Sequence, residues 1–91
     1  MRENPSMRKL WHEEAWAEYL GWQGEDRKTL RRINLLLESI DRNGYGCIGK
    51  PEPLRHGLAG WWSVRINDAD RLVFRIVEDR VEILACRGHY D

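Results

Sequence analysis

The chain has no net charge: its 91 residues carry fifteen basic and fifteen acidic side chains. That balance excludes binding driven by bulk charge, so any nucleic-acid contact must come from local clustering. There are only two cysteines, Cys47 and Cys86, which excludes a disulfide framework. The sequence has no signal-like opening and no apolar run long enough to span a bilayer, so a cytoplasmic location without membrane contact is expected. The three histidines, His12, His56 and His89, lack paired ligand spacing. Cys86-x-x-His89 has no second pair, so neither a metal nor another cofactor is expected. No glycine-rich phosphate loop is present either, because the glycines of 44–49 precede no helix.

What is there is an apolar fraction of 42% with five tryptophans, enough for one small core. Residues 1–6, with Pro5, read as a disordered leader and 7–91 as a single domain, with Met1 and Met7 both candidate starts. Arg8 to His12 reads as a short strand. Glu13 and Glu14 then open a helix, where carboxylates suit the positive end of the dipole. Its apolar face is expected at Ala15, Trp16, Tyr19 and Leu20, and its end near Gln23, between Gly21 and Gly24. A second helix runs from about Asp26 to Arg42. Leu30, Ile33, Leu36, Leu37 and Ile40 recur on it at helical spacing, Asn43-Gly44 stops it, and Arg27, Lys28, Arg31 and Arg32 give it a basic outer face. Residues 44–53 form a loop rich in glycine and proline.

Three strands complete the chain. Trp62, Val64 and Ile66 alternate with Trp61, Ser63 and Arg65, and Leu72, Phe74 and Ile76 alternate with Arg71, Val73 and Arg75. Both apolar sets must share one face. Pairing Ile66 with Leu72, Val64 with Phe74 and Trp62 with Ile76 satisfies this, leaving the turn Asp68-Ala69-Asp70. Arg65 and Arg71 then lie diagonally on the opposite face. The next hairpin turns at Glu78-Asp79, with Ile76 against Val81, Arg75 against Glu82, Phe74 against Ile83 and Leu72 against Ala85. Cys86 falls beside Arg71 on the open face. Parity puts His89 on the wrong face unless Gly88 breaks the alternation. The fold class is thus α+β in the order β-α-α-β-β-β, with two helices on one face of an antiparallel sheet and an open, concave, arginine-bearing face opposite.

That open face carries Arg65, Arg71, Trp61 and Tyr90: phosphate partners beside rings that can stack on bases. Glu52 sits between Pro51 and Pro53, which stiffen the segment that holds it. Cutting RNA with no metal needs a base for the 2′-hydroxyl, an acid for the departing 5′-oxygen and cations for the phosphorane. Glu52 can serve as the base, His89 as the acid, and Arg71 and Arg65 as the phosphate clamp. Tyr90 can position the phosphate or stack on a base. Taken singly, each of these residues reads equally well as a solvated surface group.

The combined run resembles the YoeB-type toxins of the RelE superfamily. The blocks that carry it are Leu10-Trp11-x-Glu13-Glu14-Ala15-Trp16-x-x-Tyr19-Leu20-x-Trp22-Gln23, Gly49-Lys50-Pro51-Glu52-Pro53-Leu54, His56-x-Leu58-x-Gly60-x-Trp62-Ser63, Arg65-Ile66, Arg71-Leu72-Val73 and Ala85-Cys86-Arg87-x-His89-Tyr90. They cover roughly Met7 to Tyr90 in family order, although Gly88 stands where the pattern has a bulkier residue. The resemblance implies an mRNA interferase acting in the ribosomal A site, with Glu52 as base, His89 as acid, Arg65 and Arg71 on the phosphate, Tyr90 at the substrate and Lys50 as an RNA contact. It further implies a YefM-type antitoxin, the 70S ribosome and mRNA as partners, a homodimer, and operator DNA reached only through the antitoxin complex. Two rival readings are a gyrase-poisoning relative, which lacks this Glu–Arg–His–Tyr set, and a non-catalytic binding module of the same fold.

Overall fold

The computed structural model describes residues 6–90. The expected leader lies, except for Ser6, outside the described residues. Five strands and two helices form in the order β1 (Arg8–Trp11), α1 (Glu13–Glu25), α2 (Arg27–Asn43), β2 (Glu52–Pro53), β3 (Trp62–Arg65), β4 (Arg71–Val77) and β5 (Arg80–Ala85). The sheet order is β1-β5-β4-β3-β2. All pairings are antiparallel except β1 with β5, which is parallel. The expected α+β architecture stands, with a short strand added inside the segment read as loop. No helix among the described residues is long and apolar enough to cross a membrane.

Helix α1 differs from expectation in its face and its end. Ala15 and Trp22 are buried, whereas Trp16 and Leu20 are each 44% exposed. The buried stripe is therefore two turns long, and Trp22 is held at its far end by donating from Nε1 to the Cys86 carbonyl at 2.9 Å. The helix runs through both glycines to Glu25 because the stop lies in Asp26. That residue turns extended (φ −157°) and caps α2, accepting from the Lys28 and Thr29 amides, which satisfies donors the helix cannot pair itself. Ile33, Leu36, Leu37 and Ile40 of α2 are buried as the periodicity requires, with Leu30 packed beside them.

The main core joins this stripe to one face of the sheet through Val64, Ile66, Leu72, Phe74, Val81, Ile83 and Cys86. A second, smaller cluster of Leu54, Val73 and Ala85 lies apart from it, with Leu58, Trp61, Leu84 and Tyr90 packed against it. The expected open face is therefore partly roofed by the 54–61 loop.

Two register expectations are corrected. Trp62 opposes Phe74, Val64 opposes Leu72 and Arg65 opposes Arg71, a shift of two residues from the expected pairing. A two-residue shift leaves every side chain on its face, so alternation cannot detect it. Turn chemistry decides instead: Asn67 Oδ1 accepts from the amides of Ala69 (2.8 Å) and Asp70 (2.7 Å), and the Ile66 amide donates to the Asp70 carbonyl at 3.0 Å. This Asx-type turn widens the connection. In the second hairpin Ile76–Val81, Arg75–Glu82 and Phe74–Ile83 pair as expected, and Arg75 forms an ion pair with Glu82. Ala85, however, opposes Val73 rather than Leu72. Leu84 is the extra residue of a β-bulge, which reverses the parity of the residues beyond it. Cys86 therefore enters the main core, fully buried, instead of joining Arg71.

Candidate active site

The loop that delivers Glu52 is pinned by Gly49. Its φ is +96°, and a Cβ there would lie 2.9 Å from Leu36 Cδ2 and 3.1 Å from Val64 Cβ. Only glycine lets the chain pass between α2 and β3 at that point. The Gly49 carbonyl accepts from the Arg65 amide at 2.9 Å, tying the loop that carries Glu52 to an arginine-bearing strand. Pro51 and Pro53 then flank Glu52 in an edge strand, a position where a missing N–H is tolerated. Glu52 opposes Ser63 in register.

From that edge the Glu52 carboxylate meets the Arg71 guanidinium, Oε1 to Nη1, at 3.5 Å. The Arg71 side chain is 13% exposed and that of Glu52 is 63% exposed. Arg71 Nη1 also donates to Oγ of the fully buried Ser63 at 3.4 Å. Both contacts are long, so the guanidinium is aimed without being saturated. Arg65 is exposed and stands directly opposite Arg71 in the ladder. Like charges in that position repel across a strand pair, and an anion between them would relieve the repulsion. Lys50, Pro51, Glu52, Arg65 and Arg71 wall a hollow of about 160 Å³. On the other side of the Glu52–Arg71 pair, Glu52, Pro53, Arg55, His56, Arg71 and Tyr90 wall a larger cleft of about 460 Å³.

Tyr90 is half-buried against the second cluster. Burial, and secondarily the charges of Glu18 and Glu14, push its phenol above the ordinary value of 10.0. His89 is exposed and does not contribute to the wall of either hollow. The tail that bears it is nevertheless tied: the Gly88 amide donates to Asp70 Oδ1 at 2.8 Å, and the Gly88 carbonyl accepts from the Arg71 amide at 2.9 Å. Gly88 has φ +100°, so the expected relaxation of alternation there is a defined left-handed corner preceded by the Leu84 bulge. Trp61 packs on the second cluster, with the Arg75 guanidinium 4.3 Å over its ring and His12 edge-on at 5.6 Å.

The structure thus gathers Glu52, Arg65, Arg71, Lys50 and Tyr90 around one carboxylate–guanidinium pair, while His89 and Trp61 line neither of the two hollows. Arg55, His56 and Ser63 were not singled out for the site by pattern. Ser63 shares the parity of Arg65, which was the available signal; nothing in the periodicity marks Arg55 or His56. Among the described residues no three His, Cys, Asp or Glu side chains converge as a metal site requires.

Residues 11–90 match the family described as YoeB-like toxin of bacterial type II toxin-antitoxin system. Toxin YoeB of Escherichia coli (strain K12) is 44% identical over 84 residues, covering 92% of this chain and 100% of the relative. Among solved structures, a YoeB dimer from Staphylococcus aureus superposes with a TM-score of 0.88 at 39% identity, covering 94% of this chain and 100% of that one. A YoeB-YefM complex from the same organism gives a TM-score of 0.87 at 38% identity, with the same coverage.

Proposed function

Because the chain belongs to the YoeB-like toxins of bacterial type II toxin–antitoxin systems, we propose that it is a ribosome-dependent endoribonuclease that cuts mRNA in the A site and so halts translation. The observation that carries this reading is the Glu52–Arg71 pair shared by two adjoining hollows, with Arg65 opposite Arg71 and Tyr90 on the far wall.

In the proposed reaction Glu52 takes the proton of a ribose 2′-hydroxyl, and the freed oxygen attacks the adjacent phosphorus. Arg71 and Arg65 meet the negative charge that builds on the phosphorane oxygens, the point where fixed cations lower the barrier most. His89 gives its proton to the departing 5′-oxygen, brought to it when RNA fills the cleft. Tyr90 positions the substrate, and Lys50 and Trp61 contact flanking RNA. The nucleophile belongs to the RNA, so no step is routed through a metal or other cofactor. The products are a 2′,3′-cyclic phosphate, or the 3′-phosphate from its opening, and a 5′-hydroxyl end. Zero net charge suits an enzyme that borrows its docking surface from the ribosome.

The Staphylococcus aureus relatives, solved as a YoeB dimer and as YoeB-YefM complexes, support a second copy of the chain and a YefM-type antitoxin as partners. In this reading the antitoxin covers the open face, and operator DNA is reached only through that complex in the cytoplasm. The test is primer extension on a defined message in a purified translation system, comparing wild type with Glu52→Gln and His89→Gln. A discrete A-site cut that needs ribosomes and weakens in both variants supports the reading. Intact message alongside blocked translation would leave a fold that acts by binding.

A further inference from the structure

Three non-glycine residues of the described chain adopt a left-handed backbone: Lys50 (φ 56°), His56 (φ 58°) and Glu78 (φ 57°). Glu78 lies in the β4–β5 hairpin turn, where such a conformation is ordinary. The other two flank the Glu52–Arg71 pair, Lys50 on the smaller hollow and His56 on the larger. A β-carbon is unfavourable in that region of backbone space, and glycine would occupy it freely. Strain of this kind persists where the surroundings hold it, and it gathers at functional sites.

The packing of the loop does not explain why a histidine stands there. Leu54, Leu58 and Trp61 anchor the loop to the second cluster. The Leu54 amide closes it on the Trp61 carbonyl at 2.8 Å, and the Leu58 amide donates to the Arg55 carbonyl at 3.1 Å. His56 belongs to neither core cluster and is exposed. A firmly tethered turn therefore displays an imidazole on the cleft wall it shares with Glu52, Arg71 and Tyr90. Proteins that handle unpaired RNA use such rings as platforms for splayed-out bases.

We infer that His56 is a substrate-contacting residue whose ring stacks on the base of the nucleotide flanking the scissile phosphate. This rests on the RNA-cutting reading above, and gives that cleft a base-binding side opposite its phosphate-binding side. Stacking uses the π-face and is stronger on larger bases.

The experiment compares wild type, His56→Gly and His56→Asn, in single-turnover cleavage of ribosome-bound messages and in thermal melting. Both replacements accept a left-handed backbone and remove the ring. The expected result is a melting temperature at or above wild type, together with cleavage roughly tenfold slower. The loss should be larger on messages with a purine beside the cut than on those with a pyrimidine. Wild-type rates in stable variants overturn the inference and leave the interferase intact. An equal loss on both message types also overturns it, assigning His56 to the loop's structure. Failure of wild type itself to cut removes the interferase reading, and this inference with it.

Discussion

On the helix-covered face of the sheet, Val64, Leu72, Phe74, Val81 and Ile83 are wholly buried. On the other face the same strands show Arg65 exposed and Arg71 held by a 3.5 Å contact to Glu52, with the small cluster of Leu54, Val73 and Ala85 beneath the 54–61 loop. One side is filled with side chains that gain only by leaving water. The other keeps polar groups, and around Arg71 their contacts are long. Strand alternation lets a 91-residue chain do both, because a change on one face need not disturb the packing of the other.

The sharpest test of that separation is Phe74→Ala. It empties the centre of the helix-covered face and should cost about 3–5 kcal/mol, a large part of what a domain this small has; urea denaturation measures it. Arg71→Ala should give the opposite signature, with cleavage about a hundredfold slower and stability changed by only about 1 kcal/mol. A variant that unfolded as Phe74→Ala does would merge the two faces into one. Leu54→Ala blurs the boundary deliberately. It should lose about 2 kcal/mol and also slow cleavage, since Leu54 anchors the loop that presents Arg55 and His56. The smallest effect is expected far from the site, at Asp26→Ala. The Thr29 hydroxyl and amide hold the Asp26 carboxyl below the ordinary value of 3.8. A lowered folded pKa contributes stability that is present above 3.8 and lost as pH falls through the folded value. Melting curves of wild type and variant should therefore differ at neutral pH and converge in acid.

Burial also makes the cysteines a test of the helix-covered face. Cys86 is fully buried, and burial first, then the Glu18 charge, push its thiol from 9.0 up to about 12. Alkylation at pH 8 should modify it only as fast as the domain opens, because the reactive thiolate is scarce and shielded.

Much of this was legible from sequence wherever one side chain's environment is set by its parity. The α2 stripe, the sides taken by Val64 and Phe74, and the Arg75–Glu82 pair all come from periods of 3.6 and 2. The β3–β4 register was not legible that way, since its decision lies in the Asn67 side chain and costs the pattern nothing. The Leu84 bulge was hidden for a related reason: an inserted residue leaves no compositional mark, yet it sends Cys86 inward. In the candidate site, Glu52 announced itself by its prolines. Arg55 and His56 did not, because their place depends on a loop folding back over Val73 and Ala85.

The hydrogen bond from the Arg71 amide to the Gly88 carbonyl joins the strand that carries the central guanidinium to the tail that carries His89. One main-chain proton is thereby shielded only while the tail is seated. In deuterated solvent its rate of exchange would serve as a clock for tail detachment, read at a single peak with no label added. Any partner that lifts the tail opens that amide to exchange.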